Sequence, residues 1–148
     1  MWKKLLQTEN DYAALVLRVM LGVVFFPHGA QKVLGWFGGY GFAGTYDAFT
    51  NKMGIPGVFA LLAFAAEFLG ALGLIVGLGT RVAAFGILSV MVVAVKMLHW
   101  QHGFFMNWFG NQKGEGFEYH LLVIAMAIAL MIKGGGALSA DKTIAEKL

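Results

Sequence analysis

Between Pro56 and Gly79 the chain reads PGVFALLAFAAEFLGALGLIVGLG, apolar throughout except for one carboxylate, Glu67. At about 1.5 Å per residue, a helix of this length crosses a hydrocarbon core of about 30 Å. An ionisable side chain near the middle of that core costs about 2.5–3.5 kcal/mol on insertion scales. Glu67 is therefore expected to face protein, to have a polar partner, and to mark a functional site.

The rest of the chain agrees with a membrane setting. Of its 148 residues 59% are hydrophobic and 13% charged, whereas a soluble domain carries about a quarter charged residues. The net charge of +3 is spread along the chain without a basic run, which argues against a nucleic-acid partner. Cysteine is absent, and with it disulfides, thiolate metal sites and thiol redox chemistry.

Four apolar segments are expected to span: 12–34, 57–78, 81–98 and 117–132. The fold class is then all-α, an integral membrane four-helix bundle forming a single domain over 1–148. The first segment lacks a small-residue cleavage site and is followed by three more, so it is not read as a signal peptide. Spans two and three are joined by GLGT, a tight hairpin. The links 35–55 and 99–116 are long, rich in Gly and aromatics, and fall at the same end of the bundle. The first of them is too glycine-rich for a regular helix. They are expected to fold together as an aromatic cap through Trp36, Trp100 and Trp108, or else to anchor at the headgroups. Lys and Arg are commoner at the end holding the termini, which places both termini in the cytoplasm and the aromatic links outside. GGG at 134–136 closes the fourth span and frees a short tail.

Arg18 in the first span cannot discharge itself. Glu67 is the one carboxylate at comparable depth, so a pair is expected, either fixing helix register or lining a polar cavity. PHGAQK at 27–32 puts His28 and Lys32 on one face beyond Pro27, near the direction of Arg18, as an inward polar stripe. Ala66, Gly70, Gly73 and Gly77 form a small-residue row suited to close helix contact. Glu118 opens the fourth span, where the macrodipole favours a carboxylate, and is placed to meet Lys32 or Lys96. His99 and His102 could share a metal or a haem edge. With no thiolate to support them, solvated interfacial polarity is preferred and no metal is expected. No nucleotide, flavin or metalloprotease motif is present.

HGAQKVLGWFGGYG at 28–41, AEFLGALGLIVGLGTRVAA at 66–84, HGFF at 102–105, GFEYHLLVIAMAIAL at 116–130 and GGGALSADK at 134–142 together resemble the DoxX family of small four-helix membrane proteins. The family takes its name from subunits of a membrane thiosulfate:quinone oxidoreductase. The resemblance implies a link to quinones, sulfur compounds or oxidative stress. It carries the family's polar positions onto His28, Lys32, Glu67, Arg81 and Glu118, with Arg18 as its first-helix arginine.

Two functions follow. In the first, the chain is a subunit of a quinone-linked oxidoreductase acting on a small sulfur-containing or phenolic substrate in a bacterial or archaeal cytoplasmic membrane. Glu67, His28, Lys32, Arg18 and Glu118 would carry the chemistry, and His28, Lys32, Trp36 and His99 would hold the quinone. Glu67 would move protons and His28 and Lys32 would donate hydrogen bonds. In the second, the chain is a non-catalytic anchor or small-molecule carrier. Either role brings a protein partner or a second copy of the chain.

Overall fold

The computed structural model describes residues 2–148. After a short helix α1 (Trp2–Leu6) comes α2 (Tyr12–Val33), which starts where the Asp11 carboxylate accepts the amides of Ala13 and Ala14 at 2.8 and 3.1 Å. Side-chain acceptance of this kind satisfies amides that a helix start otherwise leaves without partners. A second short helix, α3 (Gly41–Asp47), precedes α4 (Gly57–Val76) and α5 (Thr80–Ala94). Then follow α6 (Glu118–Lys133) and α7 (Ala140–Ala145). The described residues form helices, turns and links without a strand. Three helical stretches are long and apolar enough to cross a membrane: Tyr12–Val33, Gly57–Val76 and Thr80–His102. The third exceeds the expected 81–98 because α5 continues through a wider π turn, Val95–His99, and a tighter turn, Trp100–His102. α6 has 16 residues, about 24 Å at helical rise.

α2 lies against α4, α4 against α5, and α5 against α6, which also touches α2. Their shared core contains Leu21, Phe25, Leu74, Ile87, Val123 and Leu130, all nearly inaccessible. Glycine sets the closest approach. A Cβ on Gly29 would stand 2.5 Å from the Glu67 carbonyl oxygen, and one on Gly22 would stand 2.7 Å from that of Ala71. The two glycines are seven apart, two turns along one face, so the backbones of α2 and α4 nearly touch along this line. Two members of the expected small-residue row on α4 serve a different neighbour. Ala66 meets Gly86 and Gly70 meets Ala83, both on α5.

The link 35–55 departs from expectation. It is largely helical, with a tight turn at Trp36–Gly38, then α3, then a π turn at Ala48–Lys52. Phe42, Tyr46 and Phe49 recur at helical spacing. Phe42 and Phe49 set their edges on Phe64 of α4, at ring centroid distances of 5.6 and 5.5 Å. Burial against Phe64 outweighs the weak helix propensity of the glycines. The second link closes on its own base: Trp100 stacks on Phe117 at 5.3 Å, and the amides of Phe117 and Glu118 bond the carbonyls of Gly103 and Phe104. Among the described residues no aromatic pair joins the two links, so their rings do not build one shared cap.

The segment after α6 is not a free tail. It folds back under the helices, where Asp141 is 1% exposed. The Asp141 carboxylate accepts the amides of Gly79 and Thr80 at 2.7 and 2.9 Å, capping the start of α5. The amino-terminal segment meets it there. Thr8 Oγ1 donates to the Lys133 carbonyl and accepts from the Gly136 amide, both at 2.9 Å. Arg81 donates to the carbonyls of Leu5, Gln7, Met131 and Ile132. Both ends of the chain and the α4–α5 turn therefore lie at one end of the molecule, and the two aromatic links lie at the other.

Candidate functional site

Two charges, Arg18 and Lys32, lie on the inward side of α2, and the helix register decides what each one meets. Gly77 sits against Arg18, and Gly29 sits against Glu67. The expected Arg18–Glu67 pair is therefore not formed, because the two residues are at different depths. Arg18, 1% exposed, lies at the end of α4 instead. Its Nε donates to Gly135 O at 2.7 Å. One terminal nitrogen donates to Leu74 O and Ile75 O at 2.9 and 2.7 Å, the other to Ala137 O and Leu138 O at 3.2 and 2.9 Å. All five N–H groups of the guanidinium have carbonyl partners. Four helix-end carbonyls are left over wherever a helix stops, and Arg18 satisfies two of those on α4 while tying down the 135–138 turn.

Glu67 is paired with Lys32. The ammonium donates to Glu67 Oε2 at 2.5 Å, and more weakly to the His28 carbonyl at 3.4 Å. Glu67 is buried and the Lys32 side chain is about a fifth exposed. The long lysine stem lets a residue near the end of α2 reach down one turn to a carboxylate opposite Gly29. A cavity of about 220 Å³ opens above the ammonium, lined by Gln31, Lys32, Gly38, Gly39, Tyr40 and Thr45. The Gln31 amide donates to Phe37 O at 3.2 Å and steadies the turn that forms one wall. Phe37 itself adopts a left-handed backbone, with φ 53°, which is uncommon outside glycine. A larger groove, lined by Leu15, Val16, Val19 and Met20, is wholly apolar, lies on the outer surface of α2 and does not approach this pair.

The predicted residues thus separate. Lys32 and Glu67 come together. His28 does not join an inward stripe: it is exposed, with its ring 6.1 Å from that of Phe25. Glu118 meets neither Lys32 nor Lys96; it accepts the Met106 amide at 2.8 Å and braces the second link. Trp36 is 53% exposed, edge-on to Phe37. His99 turns from His102 to His120, whose ring lies 4.1 Å away. Among the described residues no three His, Cys, Asp or Glu side chains could hold a metal ion.

Two residues without a role in the sequence reading stand out. Tyr119 Oη and His120 Nδ1 are buried and have no hydrogen-bond partner among the described residues. The sequence signal was only FEYH at a helix start, which by itself reads as interfacial polarity.

These features define a class: an integral membrane protein with an ion-paired polar site between its first two long helices. Comparison with known proteins makes it specific. The sequence model of the family described as DoxX matches residues 13–100, and the chain belongs to that family. It is similar to the inner membrane protein YqjF of Escherichia coli (strain K12), 26% identical over 138 residues, covering 93% of this chain and 96% of that protein. It is also similar to a Bacillus subtilis (strain 168) protein named "Putative oxidoreductase CatD", 28% identical over 120 residues, covering 81% and 79% of the two chains. No solved structure matches the chain.

Proposed function

We propose that the Lys32–Glu67 pair and the cavity above it bind the headgroup of a quinone, in a membrane-embedded subunit that couples the quinone to oxidation of a small sulfur-containing or phenolic substrate. The observation that carries the reading is an ion pair between a buried Glu67 and a part-exposed Lys32 that lines a cavity of about 220 Å³. A lone pair sealed in a core fixes structure. A pair at a cavity floor can also exchange its partner for a ligand.

The residues fit such a headgroup. A quinone carbonyl is an acceptor, and the ammonium of Lys32 and the amide of Gln31 are donors on the cavity wall. Glu67 would keep Lys32 charged, then hold a proton when the ammonium turns to the ligand. Bound quinone supplies an acceptor for two electrons and two protons; the electrons would come from the small substrate. The name of the Bacillus relative supports an oxidoreductase. In the same reading α6 is the fourth span of a four-helix bundle, completed to bilayer thickness by the end of its link. Both termini face the cytoplasm of a bacterial or archaeal cell, in line with the Lys and Arg bias.

Purification in mild detergent tests this. The expected result is an extractable quinone, or binding of an added short-chain benzoquinone that Lys32→Gln weakens by about tenfold or more, the worth of one charge-assisted hydrogen bond. A protein without quinone, indifferent to added benzoquinone, sinks the reading. The second reading, an anchor or carrier subunit, is favoured by one feature: Trp108 and Phe109 stand 79% and 89% exposed at the tip of the second link. Co-purification of a second chain, lost on Trp108→Ala, would support it.

A further inference from the structure

We propose that Thr45 is the second hydrogen-bonding contact in the cavity beside Lys32, and that it selects ligands whose single ring carries two oxygen functions over rings that carry one. The proposal rests on the reading of that cavity as a headgroup site and adds the residue that gives it selectivity.

Thr45 stands in an apolar row. It lies three residues after Phe42 and four before Phe49, so the three share one face of the first link. Both phenylalanines set their edges on Phe64 of α4. That face is therefore turned inward, and Thr45 is 7% exposed upon it. A threonine in a helical turn commonly satisfies its hydroxyl on the carbonyl four residues back. Thr50, in the same link, does so: its Oγ1 donates to Tyr46 O at 2.8 Å. Thr45 does not. Among the described residues its hydroxyl bonds no protein group, and it is not one of the fully sealed unpartnered atoms, which are Thr80 Oγ1, Tyr119 Oη and His120 Nδ1. Thr45 lines the cavity together with Lys32, so the cavity is the space onto which its hydroxyl opens.

The two groups differ in what they can do. The Lys32 ammonium only donates, whereas a hydroxyl donates and accepts. An oxidised ring presents carbonyl acceptors, and a reduced ring presents hydroxyls. Lys32 serves an oxygen in either state. Thr45 donates to a carbonyl and accepts from a ring hydroxyl, so it also serves both. A ring held at two oxygens is fixed in orientation as well as in place. The cavity volume of about 220 Å³ lies below the roughly 300–1,000 Å³ of pockets for drug-sized ligands, which suits a headgroup of one ring. The opposite wall is tied by its own contacts. The Gln31 side-chain amide donates to Phe37 O at 3.2 Å, and Gly39 lies so close to the Gln31 backbone that no Cβ fits there. Thr45 has no such tie, and a ligand oxygen gives its hydroxyl a partner.

The test is a cycle of protein against ligand, with the full-length protein in nanodiscs and binding read by ligand-observed NMR. The probes are hydroquinone and phenol, which differ by one oxygen. The single oxygen of phenol goes to the stronger, charged donor, Lys32. Thr45→Val should weaken hydroquinone by about threefold to tenfold, the worth of one neutral hydrogen bond, and leave phenol unchanged. Thr45→Ser should restore hydroquinone binding, and Lys32→Gln should weaken both probes. Without ligand, Thr45→Val should melt at or above the wild-type temperature, because a methyl replaces a hydroxyl that bonds no protein group. A lower melting temperature would show that the hydroxyl serves the fold and would overturn the proposal. Equal weakening of the two probes by Thr45→Val, or weakening of neither, also overturns it. If binding then still depends on Lys32, the headgroup reading stands and only the role of Thr45 falls. A wild-type protein that binds neither probe removes the headgroup reading and this proposal with it.

Discussion

Arg18 and Lys32 are cations on one helix, both turned toward α4, yet they are held in opposite ways. Arg18 is saturated: five N–H groups meet five carbonyls from two segments. Lys32 has one close partner, Glu67, a weak one in a carbonyl, and a cavity beside it. A saturated charge has nothing to offer a ligand, and removing it strands every group it satisfied. A singly paired charge can change partners, and removing it strands one. The contrast marks Arg18 as a charge held by the fold and leaves Lys32 free to serve the proposed site, a distinction that sequence pattern does not make.

The sharpest way to break the contrast is Arg18→Met, which fills the volume but leaves five carbonyls without donors. We expect a loss of about 4 kcal/mol or more, the range reached when a buried network is broken, seen as loss of monodisperse protein in detergent. Arg18→Lys should recover only part of it, because an ammonium has three donors and no fork geometry. Retention of wild-type thermal stability in Arg18→Met would remove the distinction.

Next in size is Gly29→Leu, which forces α2 off α4 at the level of Glu67. Overpacking of this kind costs about 1–3 kcal/mol, and quinone binding should fall with it. Gly22→Leu, one contact lower, should cost similar stability while sparing the binding more. Equal loss of binding in both would show that the helix gap as a whole, not the pair, sets the site.

Glu67→Gln should cost less stability, about 1 kcal/mol, since an amide keeps the shape and one acceptor. Its effect on benzoquinone binding should be larger than its effect on thermal stability, the reverse of Arg18→Met. The double variant Lys32→Met, Glu67→Leu is expected to be near neutral or more stable, as for many buried pairs replaced by packed apolar groups, and to bind no quinone.

The smallest effect concerns the Asp11–Lys133 pair, 3.1 Å apart at the rim. The Ala14 amide, then the Lys133 ammonium, hold the Asp11 carboxyl below its ordinary range. A lowered carboxyl contributes stability above its unfolded value, about pH 3.9, and loses it as pH falls through the lower folded value. The hydrogen bond that Lys133 donates to Asp11 raises the lysine, so that contribution is present below about pH 10.4 and lost at higher pH. Asp11→Asn should keep the helix cap and flatten the acid limb of a stability–pH curve. Both groups are at the surface, so the change should be slight.

Much of this organisation is legible in the sequence, and the misses have physical causes. The apolar runs mark the long helices because lipid demands length and hydropathy of each segment separately. Glu67 and Lys32 are visible as charges in the wrong place. Their pairing is not, because the register between α2 and α4 is set by backbone contact at Gly22 and Gly29. The helical spacing of Phe42, Tyr46 and Phe49 was present in the first link, but the glycines around it dominate a local reading. The closing GGGALSADK looks like a loose end until Arg18 and Asp141 are seen to need it.

That last dependence bears on how the protein is made. Arg18 is synthesised early; the carbonyls of Leu74 and Ile75 follow 56 and 57 residues later, but Gly135 lies 117 residues further on. At about 5–20 residues per second, the helix carrying it waits roughly 6–23 seconds, the time set by that rate, before the turn at 135–138 exists. Through that interval its remaining N–H groups have to borrow acceptors from water, headgroups or the insertion machinery. The chain therefore locks only after its last helix emerges, and a stall or truncation short of residue 138 leaves a membrane segment with an open charge, a recognisable mark for quality control.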